Sequence, residues 1–253
     1  MFIVFVIGTA GSGKSLFTSA YSEWLKVEKQ DVAAINLDPG VLALPYTPDL
    51  DIRDYVNIES LMNEHLLGPN GALIAAADLI AEQVKKLSRE IEELKADIVL
   101  VDTPGQMELF AFRASGPYIA DGLTKEPKAI TYLFDSVFSL NPLNYVANLF
   151  LSAAVYNRFL IPQIHVLSKS DLLPQEQVDR IIGWSVDPEM LTMDIDNQLK
   201  GTKRLLGLDM THAIHRLGLR FLLTPVSSKS NDGMTKINAA FERILTGGTK
   251  FTD

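Results

Sequence analysis

The chain has 253 residues, 47% of them hydrophobic and 21% charged, which describes an ordinary soluble globule with enough length for one large core. A formal net charge of −8 argues against general binding to nucleic acid or an anionic membrane, either of which needs a positive footprint. The absence of cysteine excludes disulfides, Cys-ligated zinc and thiol chemistry.

The apolar run at 2–7 predicts a buried strand, and it is too short and lacks the basic leader for a signal peptide. No stretch nears the roughly 18 apolar residues of a membrane span, so no such span is expected, and the lack of cysteine suits an intracellular, cytoplasmic protein. The run leads into Gly8-Thr9-Ala10-Gly11-Ser12-Gly13-Lys14-Ser15, after which residues 16–27 read as a helix. This is the phosphate-binding pattern G-x-x-x-x-G-K-[ST] in its strand, loop and helix setting. The glycines let the backbone curl, so that successive N–H groups along Gly11, Ser12, Gly13, Lys14, Ser15 and Leu16 face phosphate oxygens at the positive end of the helix dipole. Lys14 then reaches the β and γ phosphates, and the Ser15 hydroxyl is a ligand for Mg²⁺.

Residues 32–37 predict a second buried strand ending on Asp38-Pro39-Gly40, which sets Asp38 at a strand's carboxyl end, where open α/β sheets bind ligands. Residues 43–54, rich in Pro and Asp, are expected to form a loop able to move. Helical patterns then run to Lys95, broken at Gly68-Pro69-Asn70-Gly71. In the second of these helices Val84, Leu87, Ile91 and Leu94 form a core-facing stripe. Residues 97–101 predict a third strand, running into Asp102-Thr103-Pro104-Gly105-Gln106. The long helical crossover before it makes the second and third strands parallel.

Residues 129–134 and 163–167 predict two further strands, followed by Asp135 and by Ser168-Lys169-Ser170-Asp171 respectively. Between them, Asn141-Pro142 reads as an N-cap and first-turn proline of a helix to about Arg158. Residues 174–217 read as a helical elaboration broken at Gly183, Pro188 and Gly207. A last strand over 221–226 leads to Ser227-Ser228, a helix over about 231–245 and a frayed tail at 247–253. The expected fold class is α/β, a mostly parallel sheet of about six strands with helices on both faces. It forms one domain over 1–246, with helical insertions near 55–95 and 174–217.

Phosphoryl chemistry needs positioning and charge neutralisation, so a carboxylate must hold the metal beside the phosphates. Asp102 is the natural holder of Mg²⁺, the Gly105 amide can approach a γ-phosphate, and Gln106 can orient a water for attack. Asp38 is a second carboxylate poised to position or polarise that water. Ser168-Lys169-Ser170-Asp171 resembles the guanine-reading pattern N-K-x-D, in which the aspartate accepts from the guanine N1–H and amine and the lysine stem lies along the ring. A buried carboxylate there rejects adenine, which lacks those donors. Ser227 and Ser228 are placed to offer a backbone N–H to the guanine oxygen. His212 and His215, even with Asp209, lack a ligand from a second segment and read as helix surface.

In order and spacing, GTAGSGKS, the NLDPG turn at 36–40, Gly68-Pro69-Asn70, DTPGQ at 102–106 and SKSD at 168–171 resemble the GPN-loop GTPase family over nearly the whole chain. The resemblance implies a P-loop NTPase fold and Mg²⁺-dependent hydrolysis of GTP to GDP and phosphate. It also implies a homodimer in which Gly68-Pro69-Asn70 of one subunit reaches the nucleotide of the other, with Asn70 acting in place of an arginine finger. Eukaryotic members are associated with RNA polymerase assembly, so an assembly switch with such a client is implied by resemblance alone. Ser168, where the pattern has asparagine, alters one contact to the base. Two other readings are an ATP-dependent small-molecule or nucleoside kinase and a nucleotide-binding scaffold without turnover.

Overall fold

A parallel sheet in the order β3-β2-β4-β1-β5-β6-β7 carries the chain in a computed structural model that describes residues 1–218 and 221–245. Its strands are β1 (Phe2–Gly8), β2 (Val32–Asn36), β3 (Leu50–Asp51), β4 (Ile98–Asp102), β5 (Lys128–Asp135), β6 (Gln163–Ser168) and β7 (Leu223–Pro225). The expected tail at 247–253 and residue 246 lie outside the described residues. Every strand pair is parallel. Such a sheet is covered on both faces, and the strands are apolar on both. Ile3, Phe5 and Ile7 of β1 enter the larger core, while Val4 and Val6 enter a smaller one on the opposite face.

The smaller core is closed by α1 (Lys14–Val27) and α10 (Met234–Leu245). Phe17, Tyr21 and Leu25 recur four apart on α1 and are at most 1% exposed. Tyr21 stacks on Phe241 of α10 with ring centroids 6.0 Å apart. The larger core is covered by α2 (Ile58–His65), α3 (Pro69–Glu93), α4 (Met107–Ala111), α5 (Ser115–Gly122) and α6 (Pro142–Phe159). Beyond α6 come α7 (Gln175–Val186), α8 (Pro188–Gln198) and α9 (Gly201–Arg216). Asn141 caps α6 as its sequence predicts, accepting from Leu143 N–H at 2.9 Å. Among the described residues no helix is long and apolar enough to cross a membrane.

The connections reverse beside β1. From β1 the chain crosses to β2, returns to β4 between them, and then passes to β5 on the other side of β1. That reversal opens a crevice at the strands' carboxyl ends. Register brings Val6 and Asn36 level with Asp102, Gly8 level with Leu133, and Asp135 level with Ser168.

Two local expectations are corrected, and two further details are added. The sheet has seven strands rather than about six, because Leu50 and Asp51 in the segment read as loop pair with Ile35 and Asn36. The break expected at Gly68-Pro69-Asn70-Gly71 falls between α2 and α3, and the same residues open α3: Gly68 is the N-cap, and Pro69 occupies the first turn, where its missing N–H costs nothing. Gly183 and Gly207 lie inside α7 and α9, where they permit close packing instead of ending helices. A Cβ on Gly183 would come 2.9 Å from Met190 Cε, and one on Gly207 2.8 Å from Leu143 Cδ2. Pro188, by contrast, does begin a new helix, behind an Asp187 N-cap. Finally, α4 and α5, which follow Gln106 directly, were not read from the sequence.

The α4–α5 corner sets how the chain leaves the crevice, and it is tight. A Cβ on Gly116 would lie 1.7 Å from the Phe110 carbonyl oxygen, a backbone atom that cannot swing aside. Gly116→Ala should therefore destabilise the protein by about 2 kcal/mol or more, despite alanine's better helix propensity of about 1 kcal/mol. Chemical denaturation checks this, and an unchanged or raised midpoint would show that the corner yields.

Candidate active site

The loop between β1 and α1 is shaped by two left-handed glycines, Gly11 at φ 74° and Gly13 at φ 92°. Side-chain-bearing residues are strained there, so the curl that turns successive amides one way depends on glycine. Lys14, the first residue of α1, is 6% exposed and donates to the carbonyls of Gly8 at 3.0 Å, Thr9 at 3.2 Å and Gly105 at 3.3 Å. Burial lowers its pKa, while the charges of Asp102, Asp38 and Glu108 raise it. The amine is thus held among neutral acceptors, beside carboxylates whose charge opposes the lowering. Leu16 is 44% exposed, an apolar surface at the rim of the loop.

Asp102, at the end of β4, is 1% exposed. Its Oδ2 accepts from the Tyr46 hydroxyl at 3.2 Å, and its Oδ1 has no hydrogen-bond partner among the described residues. Burial lifts its pKa to about 6, against the neighbouring Ser15 and Tyr46 hydroxyls and the charge of Lys14. A buried carboxylate oxygen without a partner, beside a serine hydroxyl, is an incomplete donor set that suits Mg²⁺, which takes few protein ligands and fills the rest with water and phosphate. Among the described residues no cluster of three His, Asp or Glu could hold a metal by itself, His212 and His215 included. Thr103 fixes the turn after β4 by donating to the Val6 carbonyl at 2.7 Å.

That turn meets Asp38. The Gly105 N–H donates to Asp38 Oδ2 at 2.7 Å, and the Gly40 N–H donates to Asp38 Oδ1 at 2.9 Å. Asn36 shapes the turn from below, accepting from the Asp38 N–H at 2.9 Å and donating to Asp51 at 2.9 Å. Gln106 is the exposed N-cap of α4, one residue from this contact. Gly68, Pro69 and Asn70 are exposed at the start of α3, and among the described residues the Asn70 side chain makes no hydrogen bond. This end of α3 is not remote, since a Cβ on Gly40 would lie 2.8 Å from Leu73 Cδ2.

On the other side of the loop a cavity of about 180 Å³ is lined by Gly13, Leu16, Ser168, Lys169, Asp171, Leu172, Ser228 and Lys229. Lys169 takes a left-handed φ of 57° and reaches Gly11 O at 2.5 Å and Asp135 Oδ2 at 2.6 Å. Ser168 Oγ lies 2.8 Å from Ser12 O and 3.2 Å from Phe134 O. A hydroxyl has one proton, so here it ties the P-loop to β5 and β6 and has none left for a base. The Val226 N–H goes to Leu167 O at 2.9 Å and the Ser227 N–H to Asp232 O at 3.1 Å. The Ser227 hydroxyl accepts from the Lys229 and Ser230 N–H groups, both at 3.2 Å. Ser227 therefore braces the turn, and of the two serines it is Ser228 that lines the cavity.

Two residues were missed from sequence. Asp135, which orients Lys169, carried a signal, standing at a strand's carboxyl end like Asp38 and Asp102. Tyr46 sits in the segment read as a mobile loop, where one aromatic among prolines gives little sign of an anchor. A larger cavity of about 620 Å³, lined by Tyr145, Trp184, Leu191 and Ile214 among others, includes no P-loop residue. Size alone does not locate the site.

A family model described as "Conserved hypothetical ATP binding protein" matches residues 6–247. The GPN-loop GTPase of Pyrococcus abyssi is 32% identical over 253 residues, covering 98% of this chain and 99% of that protein. GPN-loop GTPase 1 of Saccharomyces cerevisiae is 31% identical over 221 residues, 85% of this chain but 57% of that longer protein. The crystal structure of a GTPase in apo form from Pyrococcus abyssi superposes with a TM-score of 0.85 at 29% identity, covering 96% of this chain and 97% of that one.

Because the Asp102 carboxyl has its pKa raised from 3.8 to about 6, folding takes up a proton there. Its contribution to stability is present below about pH 4 and lost as pH rises through about 6. Asp102→Asn should stabilise the ligand-free protein by up to about 3 kcal/mol above neutral pH, with the gain vanishing near pH 4. Thermal melts across that range test this, and a gain that does not grow with pH would reject it.

Proposed function

Since the chain belongs to the GPN-loop GTPase family, we propose that it is a GTP hydrolase and works as a cytoplasmic, Mg²⁺-dependent homodimer whose shape follows the bound nucleotide. The carrying observation is the meeting of Lys14, Asp38, Gly105 and Asp102 at one edge of the sheet, with the Asp171 cavity on the far side of the same loop.

In this reading the amides of Gly11, Ser12, Gly13, Lys14, Ser15 and Leu16 bind the phosphates. Lys14 exchanges carbonyl acceptors for β and γ oxygens. Ser15 and Asp102 would hold Mg²⁺, which when bound supplies charge neutralisation on the phosphate oxygens. Gln106 orients the attacking water and Asp38 polarises it. Attack on the γ-phosphorus breaks its bond to the bridging oxygen and leaves GDP and phosphate. Asp171 accepts from the guanine N1–H and amine, Lys169 lies along the ring, and Ser228 offers its N–H to the guanine oxygen. With the Ser168 proton committed to the protein, selectivity rests on Asp171 and on shape.

The exposed Gly68-Pro69-Asn70 supports the dimer, because an unpaired amide side chain on the surface is free to complete a neighbouring subunit's site. Leu66, two residues earlier, is 93% exposed although apolar. The resemblance extends the proposal to an assembly switch for a protein complex such as RNA polymerase. The family description names ATP, which keeps an ATP-dependent kinase as the rival, and a non-hydrolysing scaffold is the third reading.

Asp171→Asn should lose guanine preference when GTP, GDP and ATP are titrated with Mg²⁺, by roughly tenfold or more. ATP preference untouched by the substitution would favour the kinase. Gln106→Ala and Asn70→Ala should each lower turnover by roughly 10²-fold with GTP binding retained. Unchanged single-turnover rates would remove those residues from the mechanism, and no phosphate release by the unmodified protein would favour the scaffold.

A further inference from the structure

Gly105 is gripped at both of its polar atoms. Its carbonyl accepts from Lys14 Nζ at 3.3 Å, and its N–H donates to Asp38 Oδ2 at 2.7 Å. A cation and an anion of the chain thus hold the turn after β4 from either side. The anion is itself well anchored, through the Gly40 N–H at 2.9 Å and through Asn36, which donates to the Asp38 carbonyl at 3.1 Å.

The Gly105 N–H is the donor that would face a γ-phosphate, and a carboxylate already occupies it. One proton cannot serve two oxyanions at full strength, and two anions crowding one donor repel each other. A diphosphate has no oxygen to compete at this position, whereas a triphosphate does. We propose that Asp38 is an intramolecular stand-in for the γ-phosphate: it satisfies Gly105 in the empty and diphosphate states and is displaced by the triphosphate.

The inference rests on the GTPase reading above and adds what distinguishes the two nucleotides. Displacement does two things at once. It frees a carboxylate beside the γ-phosphate, where water must be polarised. It also pulls on the chain that follows, in which Pro45 accepts from Ser19 Oγ at 3.2 Å and Tyr46 donates to Asp102 at 3.2 Å. Asp38 is therefore a specificity-determining residue for triphosphate over diphosphate, and the strap from Pro39 to Asp49 moves with it.

The test compares the unmodified protein with Asp38→Ala and Asp38→Asn, titrating each with GDP and with a non-hydrolysable GTP analogue in the presence of Mg²⁺. Asp38→Ala should bind the analogue roughly five- to tenfold more tightly, with GDP affinity changed less than about twofold. Asp38→Asn, which keeps the turn but loses the charge, should lie between. An unchanged ratio of the two affinities, including a parallel loss of both, would overturn the proposal and leave Asp38 as a shaper of the turn.

Hydrogen exchange at the Gly105 amide needs no nucleotide. It should be protected in the unmodified ligand-free protein, faster in Asp38→Ala, and protected again in both once the analogue is bound. Exchange that is equally slow in the ligand-free variant would also overturn the proposal. Failure to bind any guanine nucleotide would defeat the GTPase reading itself, with the Gly105 exchange difference still measurable.

Discussion

A lysine ammonium at the sheet's edge, almost out of contact with water, constrains everything around it. Lys14 is held by three carbonyls, two on its own loop and one on the turn after β4. A buried cation needs such acceptors or it loses its charge. Meeting that need fixes the loop's curl, the left-handed glycines within it and the placing of Asp38 and Asp102 nearby. The same arrangement suits an anion, because phosphate oxygens in place of the neutral carbonyls would bring a net gain of charge pairing.

The sheet's topology does the remaining positioning. Parallel strands end together, so the residues that follow them collect at one edge: Gly8, Asp38, Asp102, Asp135 and Ser168. Each is a last strand residue or its near neighbour. The two faces of the loop are thereby given separate tasks, with Lys14, Asp102 and Asp38 on one side and Ser168, Lys169 and Asp171 on the other. Ser168 carries the link between them, since its proton reaches the P-loop at Ser12 O.

Much of this was legible in the residues, for reasons that can be stated. Residues 2–7 and 97–101 read as buried strands because they are almost wholly apolar, and a motif that follows such a strand inherits its place at the carboxyl edge. The N-cap at Asn141 was equally plain. What could not be read was tertiary in origin. Gly183 and Gly207 look like breaks until a neighbouring side chain is found where their Cβ atoms would be. Leu50 and Asp51 make a strand only because β2 lies open beside them. The split of duties between Ser227 and Ser228 depends on which N–H group the neighbouring turn has already taken.

The contact between Gly40 and Leu73 joins the Asp38 turn to the first coils of α3, a single helix of 25 residues. At 1.5 Å per residue such a rod is about 37 Å long. Pivoted near its start, a tilt of about 5° carries the far end about 3 Å. Its buried stripe runs from Ala72 and Ala76 near the start to Val84, Leu87 and Ile91 beyond, and Gly122 of α5 packs closely on Val84. The helix thus joins the Asp38 turn, at the carboxyl edge of the sheet, to the opposite edge, where Ser88 and Glu92 lie beside Met1.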